Sequence, residues 1–303
     1  MIAPVTDYDL IRTDAALADL IAVLGARERL AVDLEGENNL HAYGIRVCLI
    51  QLFDGKRGYI VDPLAIRNKD LLRDLLEGSG WVKVMFDSTN DLLALRHDLD
   101  IRPSSLYDLA VAAQLLGRRG GLHAHVQRTA GDGAPLSARA KDRFQKANWL
   151  RRPLSKAMLD YAISDVVGLL DLADTMAAEL ARRGLAVEFE KKNRERLEKV
   201  RAWDPLANFT RIPGFGRMNA AGRRRAKTLW YAREYYAREH DLPPEAVASK
   251  PQLSRIVDLG LDGADAIAAF LNEGRKRNPV DPRALARTFE AAARDSVSDP
   301  RRG

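Results

Sequence analysis

The chain has 303 residues, 46% of them apolar and 30% charged, a balance that supports one large core with a smaller one beside it and argues against extended disorder. Lys and Arg outnumber Asp and Glu by 48 to 42, a formal charge of +6, which favours an anionic partner, nucleic acid ahead of a membrane surface. The single cysteine, Cys48, lies in the apolar run VCLIQLF, which excludes an internal disulfide and a thiolate zinc site and fits a reducing cytoplasm. The N-terminus, MIAPVTDYDL, carries acids where an export signal needs a basic start. With no apolar stretch of spanning length either, the expectation is an unexported chain with no membrane association.

Residues 14–25 have helical apolar spacing and end at Gly25, after which ERLAVDLE, VCLIQLF and GYIVDP read as three strands. A short amphipathic helix from Asn68 to Leu76, a buried strand over 81–86 and a helix over 89–97 come next, so strands begin to alternate with helices. An apolar segment at Leu106 leads into a helix ending near Gly117, then the turn GRRGG and a further helix; residues 131–148 read as loop with partial helix. Ser155 is placed to cap one long helix carrying Met158, Leu159, Ala162, Ile163, Val166, Leu169 and Leu170 at helical spacing. From about 190 strand-like runs cease. A boundary near 205 separates an α/β domain, 1–204, from a smaller all-α domain, 205–296, with helices expected at 217–240, 250–258, 262–273 and 282–295; residues 297–303 read as a disordered tail.

Three places carry candidate chemistry. Asp33 and Glu35 flank Leu34 at the end of an apolar strand, so alternation puts both carboxylates on one face. Such a pair is costly unless a cation neutralises it, and all-oxygen ligands suit Mg²⁺ or Mn²⁺; a strand end open to solvent is the plain alternative. Asp91 opens the helix that follows a strand, at the sheet edge where ligands of α/β folds gather, or merely serves the helix macrodipole. Tyr161 and Asp165, four apart on a helix, share a face offset from the apolar stripe, which an ordinary half-exposed surface would also explain. Combined, several carboxylates and one polar group are what two-metal phosphodiester hydrolysis needs. The five histidines show no zinc spacing, and no Gly-rich nucleotide loop is present.

The segments AVDLEGENNLHAYGIRVCLIQLF, VMFDSTNDLLAL and RRPLSKAMLDYAISDV resemble the three exonuclease motifs of the DEDD superfamily, in the order found in ribonuclease D. The resemblance implies a ribonuclease H-like mixed sheet flanked by helices, with Asp33, Glu35, Asp91 and Asp165 as ligands of two divalent ions, Mg²⁺ or Mn²⁺. Tyr161 would orient the attacking water, which is the mark of the tyrosine subgroup. Leu34, Gln145 and Arg152 would contact substrate, the latter two from the matching stretch QKANWLRRPL. Asp142 stands where the family usually has a lysine, with Lys141 one position away. Asp87 has no assigned role, and Asp108 reads equally as a family aspartate or a helix cap. The segment TLWYAREYYAREHDLPPEAVASKPQLSRI resembles a single HRDC domain, and between Arg217 and His240 seven cationic residues face two acids, consistent with a phosphate-tracking surface or a solvated helix.

The expected protein is a cytoplasmic, monomeric 3′–5′ exoribonuclease that releases nucleoside 5′-monophosphates from single-stranded RNA 3′ ends, transfer-RNA precursors among them. The alternatives are the same chemistry on DNA, because a carboxylate site does not itself read a 2′-hydroxyl, and a non-catalytic RNA-binding adaptor.

Overall fold

A computed structural model of the chain describes residues 7–25, 27–78, 80–122, 124–126, 144–276 and 279–298. The chain divides into two compact units, one formed by Met1–Glu37 with Ile45–Ala202 and the other by Asn38–Gly44 with Trp203–Gly303.

The first unit is built on strands β1 (Tyr8–Ile11), β2 (Arg29–Asn38), β3 (Ile45–Phe53), β4 (Gly58–Val61), β5 (Val82–Met85) and β6 (Leu106–Asp108). They form one sheet in the order β1-β4-β3-β2-β5-β6. β1 runs parallel to β4, and β2, β5 and β6 are mutually parallel, while β3 and β4 are antiparallel, so the sheet is mixed. β1 has no counterpart among the expected strands; its four residues pair with Gly58–Val61 and carry too short an alternation to be read locally.

Strand alternation sorts the side chains of β2 into two cores. Leu30, Val32 and Leu34 join one cluster, to which α1 (Asp14–Leu24), α2 (Lys69–Glu77) and α3 (Thr89–Asp98) contribute Leu17, Leu20, Leu72, Leu75, Leu92 and Leu95. Ala31 joins the opposite cluster with Leu109 of α4 (Leu109–Leu115), Leu159 of α5 (Lys156–Ser164), Met176 of α6 (Leu169–Arg182) and Phe189 of α7 (Ala186–Glu198). Helix starts are set by local side-chain caps: Thr13 accepts from Ala16 N, Asn68 from Asp70 N and Ser155 from Met158 N.

The apolar spacing from Met158 to Leu170 predicts a single helix, but the structure has two. α5 closes at Ser164, with Asp165 as its cap, and Gly168 adopts a left-handed φ of 86° before α6 begins. The periodicity survives because both helices bury the same stripe; the glycine supplies a conformation that other residues adopt only with strain. Of the loop expected at 131–148, residues 131–143 lie outside the described residues, and with them Lys141 and Asp142; Phe144 and Gln145 form a helical turn.

Arg152, expected at the substrate, directs its donors into the fold instead. Its Nε and one terminal nitrogen grip both oxygens of Asp62 at 2.6 and 2.7 Å, and it donates further to the carbonyls of Cys48, Trp149 and Arg151. With the Asp62 side chain 5% exposed, this forked pair ties the segment before α5 to β3 and to the end of β4.

The second unit is helical. α8 (Ala220–Glu239), α9 (Pro244–Val247), α10 (Lys250–Asp258), α11 (Ala264–Asn272) and α12 (Pro282–Ser298) enclose Trp230, Tyr236, Ile256 and Leu271. A reciprocal Ser249–Gln252 capping box starts α10. α12 runs to Ser298, two residues into the segment expected to lack order, and residues 299–303 lie outside the described residues.

Gly36, beside Glu35, has no room for a side chain: a Cβ there would lie 2.7 Å from the Arg46 carbonyl oxygen on β3. Because the obstacle is backbone, Gly36→Ala is expected to destabilise the first unit by about 1–3 kcal/mol. Urea unfolding checks this, and an unchanged midpoint would mean that the strands separate without cost.

Candidate active site

The parity that points Leu34 into one core points Asp33 and Glu35 to the other face of the sheet, over the cluster that contains α5. Both acids are half-buried. Asp91 arrives in the first turn of α3, one residue ahead of Leu92, which packs below the sheet. Asp165, 9% exposed, caps α5, and Tyr161, 6% exposed, lies one turn earlier on the same helix. A strand, a helix start and a helix end thus supply the five side chains.

They converge electrostatically. Burial holds the Asp33 carboxyl well above the usual carboxylate range, and the charges of Asp91, Asp165 and Glu35 raise it further. Burial and then Asp165 and Asp91 push Glu35 up to about 9. Burial, Asp87 and Asp108 push Asp91 up to about 7. Acids raised in this way cannot all be ionised near neutrality without a cation among them. Among the described residues no three of them stand close enough to form a ready-made coordination shell. The donor set of four hard oxygen acids, with Asp91, Asp165 and Glu35 all disfavouring ionisation of Asp33, fits divalent ions of the Mg²⁺ or Mn²⁺ kind.

Tyr161 is not on an exposed face, as its offset from the apolar stripe predicts. Its ring stacks on Phe144 with centroids 4.8 Å apart and leans on Trp149 at 6.4 Å. Burial, the charges of Asp165 and Glu35 and a hydrogen bond to Asp165 raise its phenol, so it stays protonated and acts as a donor rather than a base. Its aromatic wall was hidden from sequence reasoning because Phe144 and Trp149 precede α5 in an irregular segment. Gln145 is exposed beside Phe144. Leu34 packs its side chain onto the core away from the acids.

Asp108 is the cap of α4, accepting from Ala110 N at 2.8 Å, and is completely buried. Asp87, at a left-handed φ of 52°, meets Arg196 at 3.0 Å.

In the second unit the basic run divides. Arg217, Arg223 and Arg224 are exposed, but Arg233 is 4% exposed, paired with Glu234 at 2.6 Å and stacked 3.8 Å above the Trp230 ring. Most of the exposed charge therefore lies at the start of α8, with Arg238 exposed in its last turn, and Arg233 belongs to the core.

A family model described as 3′–5′ exonuclease matches residues 8–181. Ribonuclease D of Zymomonas mobilis is 30% identical over 254 residues, covering 82% of this chain and 63% of that protein; ribonuclease D of Escherichia coli is 27% identical, covering 86% and 71%. The chain thus spans less than two thirds of the Zymomonas protein. Among solved structures, the catalytic core of RRP6 from Trypanosoma brucei superposes with a TM-score of 0.79 at 22% identity, covering 97% of this chain and 82% of that one. E. coli RNase D, described as an exoribonuclease involved in structured RNA processing, gives 0.75 at 23% identity, with 95% and 75% covered. With the matched segment holding the strand that bears Asp33 and Glu35, the helix start at Asp91 and the helix end at Asp165, the chain belongs to the 3′–5′ exonuclease family, in the ribonuclease D group of the DEDD superfamily.

Proposed function

We propose that the chain is a metal-dependent 3′–5′ exoribonuclease that removes nucleoside 5′-monophosphates from RNA 3′ ends. The observation that carries this reading is the gathering of four acids from a strand, a helix start and a helix end, where burial with Asp91 and Asp165 raises Asp33 and Glu35, so that the group needs cations to ionise together.

Asp33, Glu35, Asp91 and Asp165 would hold two divalent ions, which when bound neutralise charge at the scissile phosphate and make a water more acidic. The protonated Tyr161 phenol, braced by Phe144 and hydrogen-bonded to Asp165, would turn that bond to the attacking water and so orient it. The aromatic wall excludes bulk water from that side of the site. Gln145, exposed next to Phe144, is placed to meet the terminal nucleotide, while Leu34 would contribute through its backbone between the two acids. Arg217, Arg223 and Arg224 at the start of α8 would track phosphates in the HRDC-like helical unit. Transfer-RNA precursors, a monomeric state and a cytoplasmic setting remain part of this proposal. Among the described residues no helix is long and apolar enough to cross a membrane.

End-labelled single-stranded RNA incubated with protein, with and without chelator, tests the activity: a ladder shortening from the 3′ end that vanishes with EDTA is expected, and internal cuts would overturn it. Matched DNA oligonucleotides separate ribonuclease from deoxyribonuclease. Asp165→Asn is expected to lower mononucleotide release more than about a hundredfold while RNA affinity by filter binding stays near wild type; equal loss of both would point to a structural defect. Tyr161→Phe keeps the ring stack and loses the donor, with a rate loss of roughly a hundredfold and unchanged metal affinity; wild-type kinetics would remove the phenol from the reaction.

The pH dependence follows from the same acids. Their folded values lie above those of the unfolded chain, so between the usual carboxylate range and about 9 the folded protein holds more protons. Metal-free stability therefore falls as pH rises through about 7 and then about 9. Divalent ions replace those protons, so Mn²⁺ is expected to raise Tm more at about pH 9 than at about pH 5. Thermal melts at both pH values check this, and an equal rise would show that the acids do not bind the metal.

A further inference from the structure

β6 is an outer strand of the sheet, and α7 packs along it. There Asn193, 8% exposed, pairs with the strand as another strand would: its Oδ1 accepts from Asp108 N at 2.9 Å and its Nδ2 donates to the Leu106 carbonyl. One turn later Arg196 reaches Asp87 at 3.0 Å, Asp108 at 3.5 Å and the Thr89 hydroxyl. Both residues lie beyond the segment 8–181 that the family model covers.

What α7 holds in this way is the entrance to α3. The buried Asp108 carboxylate accepts from Asp87 N at 3.2 Å, Ser88 N at 3.0 Å and Ser88 Oγ at 2.7 Å, besides its cap bond to Ala110. Ser88, the residue before α3, gives its hydroxyl to Asp108 and makes no side-chain cap bond to its own helix. The strained backbone of Asp87 and the first turn of α3 are therefore located by Asp108, and Asp108 by α7. Asp91 sits in that first turn.

We infer that Asn193 and Arg196 are positioning residues for Asp91, acting through Asp108 and the 87–89 turn without touching ion or substrate. Arg196 has a second effect through charge. Its guanidinium lies against the carboxylates of both Asp87 and Asp108, on the turn that leads into α3. Removing it leaves two carboxylates without their cation behind the ligand and loosens the turn that aims it.

This inference rests on the reading of Asp91 as a metal ligand, and the experiment separates the two. Mn²⁺ binding to the full chain is measured by titration calorimetry, and Tm by thermal melts, for wild type, Arg196→Ala, Arg196→Lys, Ser88→Ala and Asp91→Asn. Arg196→Ala is expected to weaken Mn²⁺ affinity by about tenfold to a hundredfold. Arg196→Lys should recover part of that loss because it restores charge without the forked geometry. Ser88→Ala, which deletes one bond between turn and carboxylate, is expected to weaken Mn²⁺ in the same direction with little change in Tm, and decides the matter if Arg196→Ala fails to fold. Wild-type Mn²⁺ affinity in Arg196→Ala and Ser88→Ala, with Asp91→Asn impaired, would overturn the positioning role and leave the metal site standing. Wild-type affinity in Asp91→Asn would remove the metal site and the inference with it.

Discussion

Repulsion among crowded, largely half-buried carboxylates is the constraint from which the rest of the first unit is best understood. Asp33, Glu35 and Asp91 are each lifted by burial and by other acids, Asp165 among them for the first two, an arrangement that opposes folding in the absence of cations. The sheet and its two apolar cores must therefore supply enough stability to keep the acids together. Two core clusters meet on either side of β2, and its alternation lets one strand serve both while presenting its acids in mid-strand, where sequence alone suggests the strand's end.

The supports are graded by how tightly each acid must be held. Asp33 and Glu35 ride on a central strand with neighbours on both sides. Asp165 caps a helix fixed by Leu159, Ala162 and Ile163 in the core, with Arg152 and Asp62 anchoring the chain just before it. Asp91 has neither advantage: it stands in the first turn of a helix whose entrance holds a residue of positive φ, Asp87, and a buried acid and α7 lie behind that entrance.

The mixed α/β sheet and the helical second unit could be anticipated because their signals are local: alternating apolar strands, capped amphipathic helices and the loss of strand-like runs after about 190. The acids were legible for a related reason, since Asp91 and Asp165 stand at helix ends and Asp33 and Glu35 follow directly on the apolar run of β2. What stayed hidden depends on residues far apart in the chain. Asn193 bonds to Asp108 across 85 positions and Arg196 to Asp87 across 109, and neither partner carries a pattern that names the other. Arg152 shows the converse, a cation in a substrate-like motif whose geometry is set by Asp62, 90 positions away. The break at Gly168 escaped because two helices that bury one stripe share the periodicity of one.

The amide of Asn193 also has a meaning for the molecule in a crowded solution. An outer strand with idle backbone groups is a template on which a second copy can grow an intermolecular sheet. At β6 those groups are answered by a side chain from the chain's own helix. That border of the sheet is thus sealed against self-association.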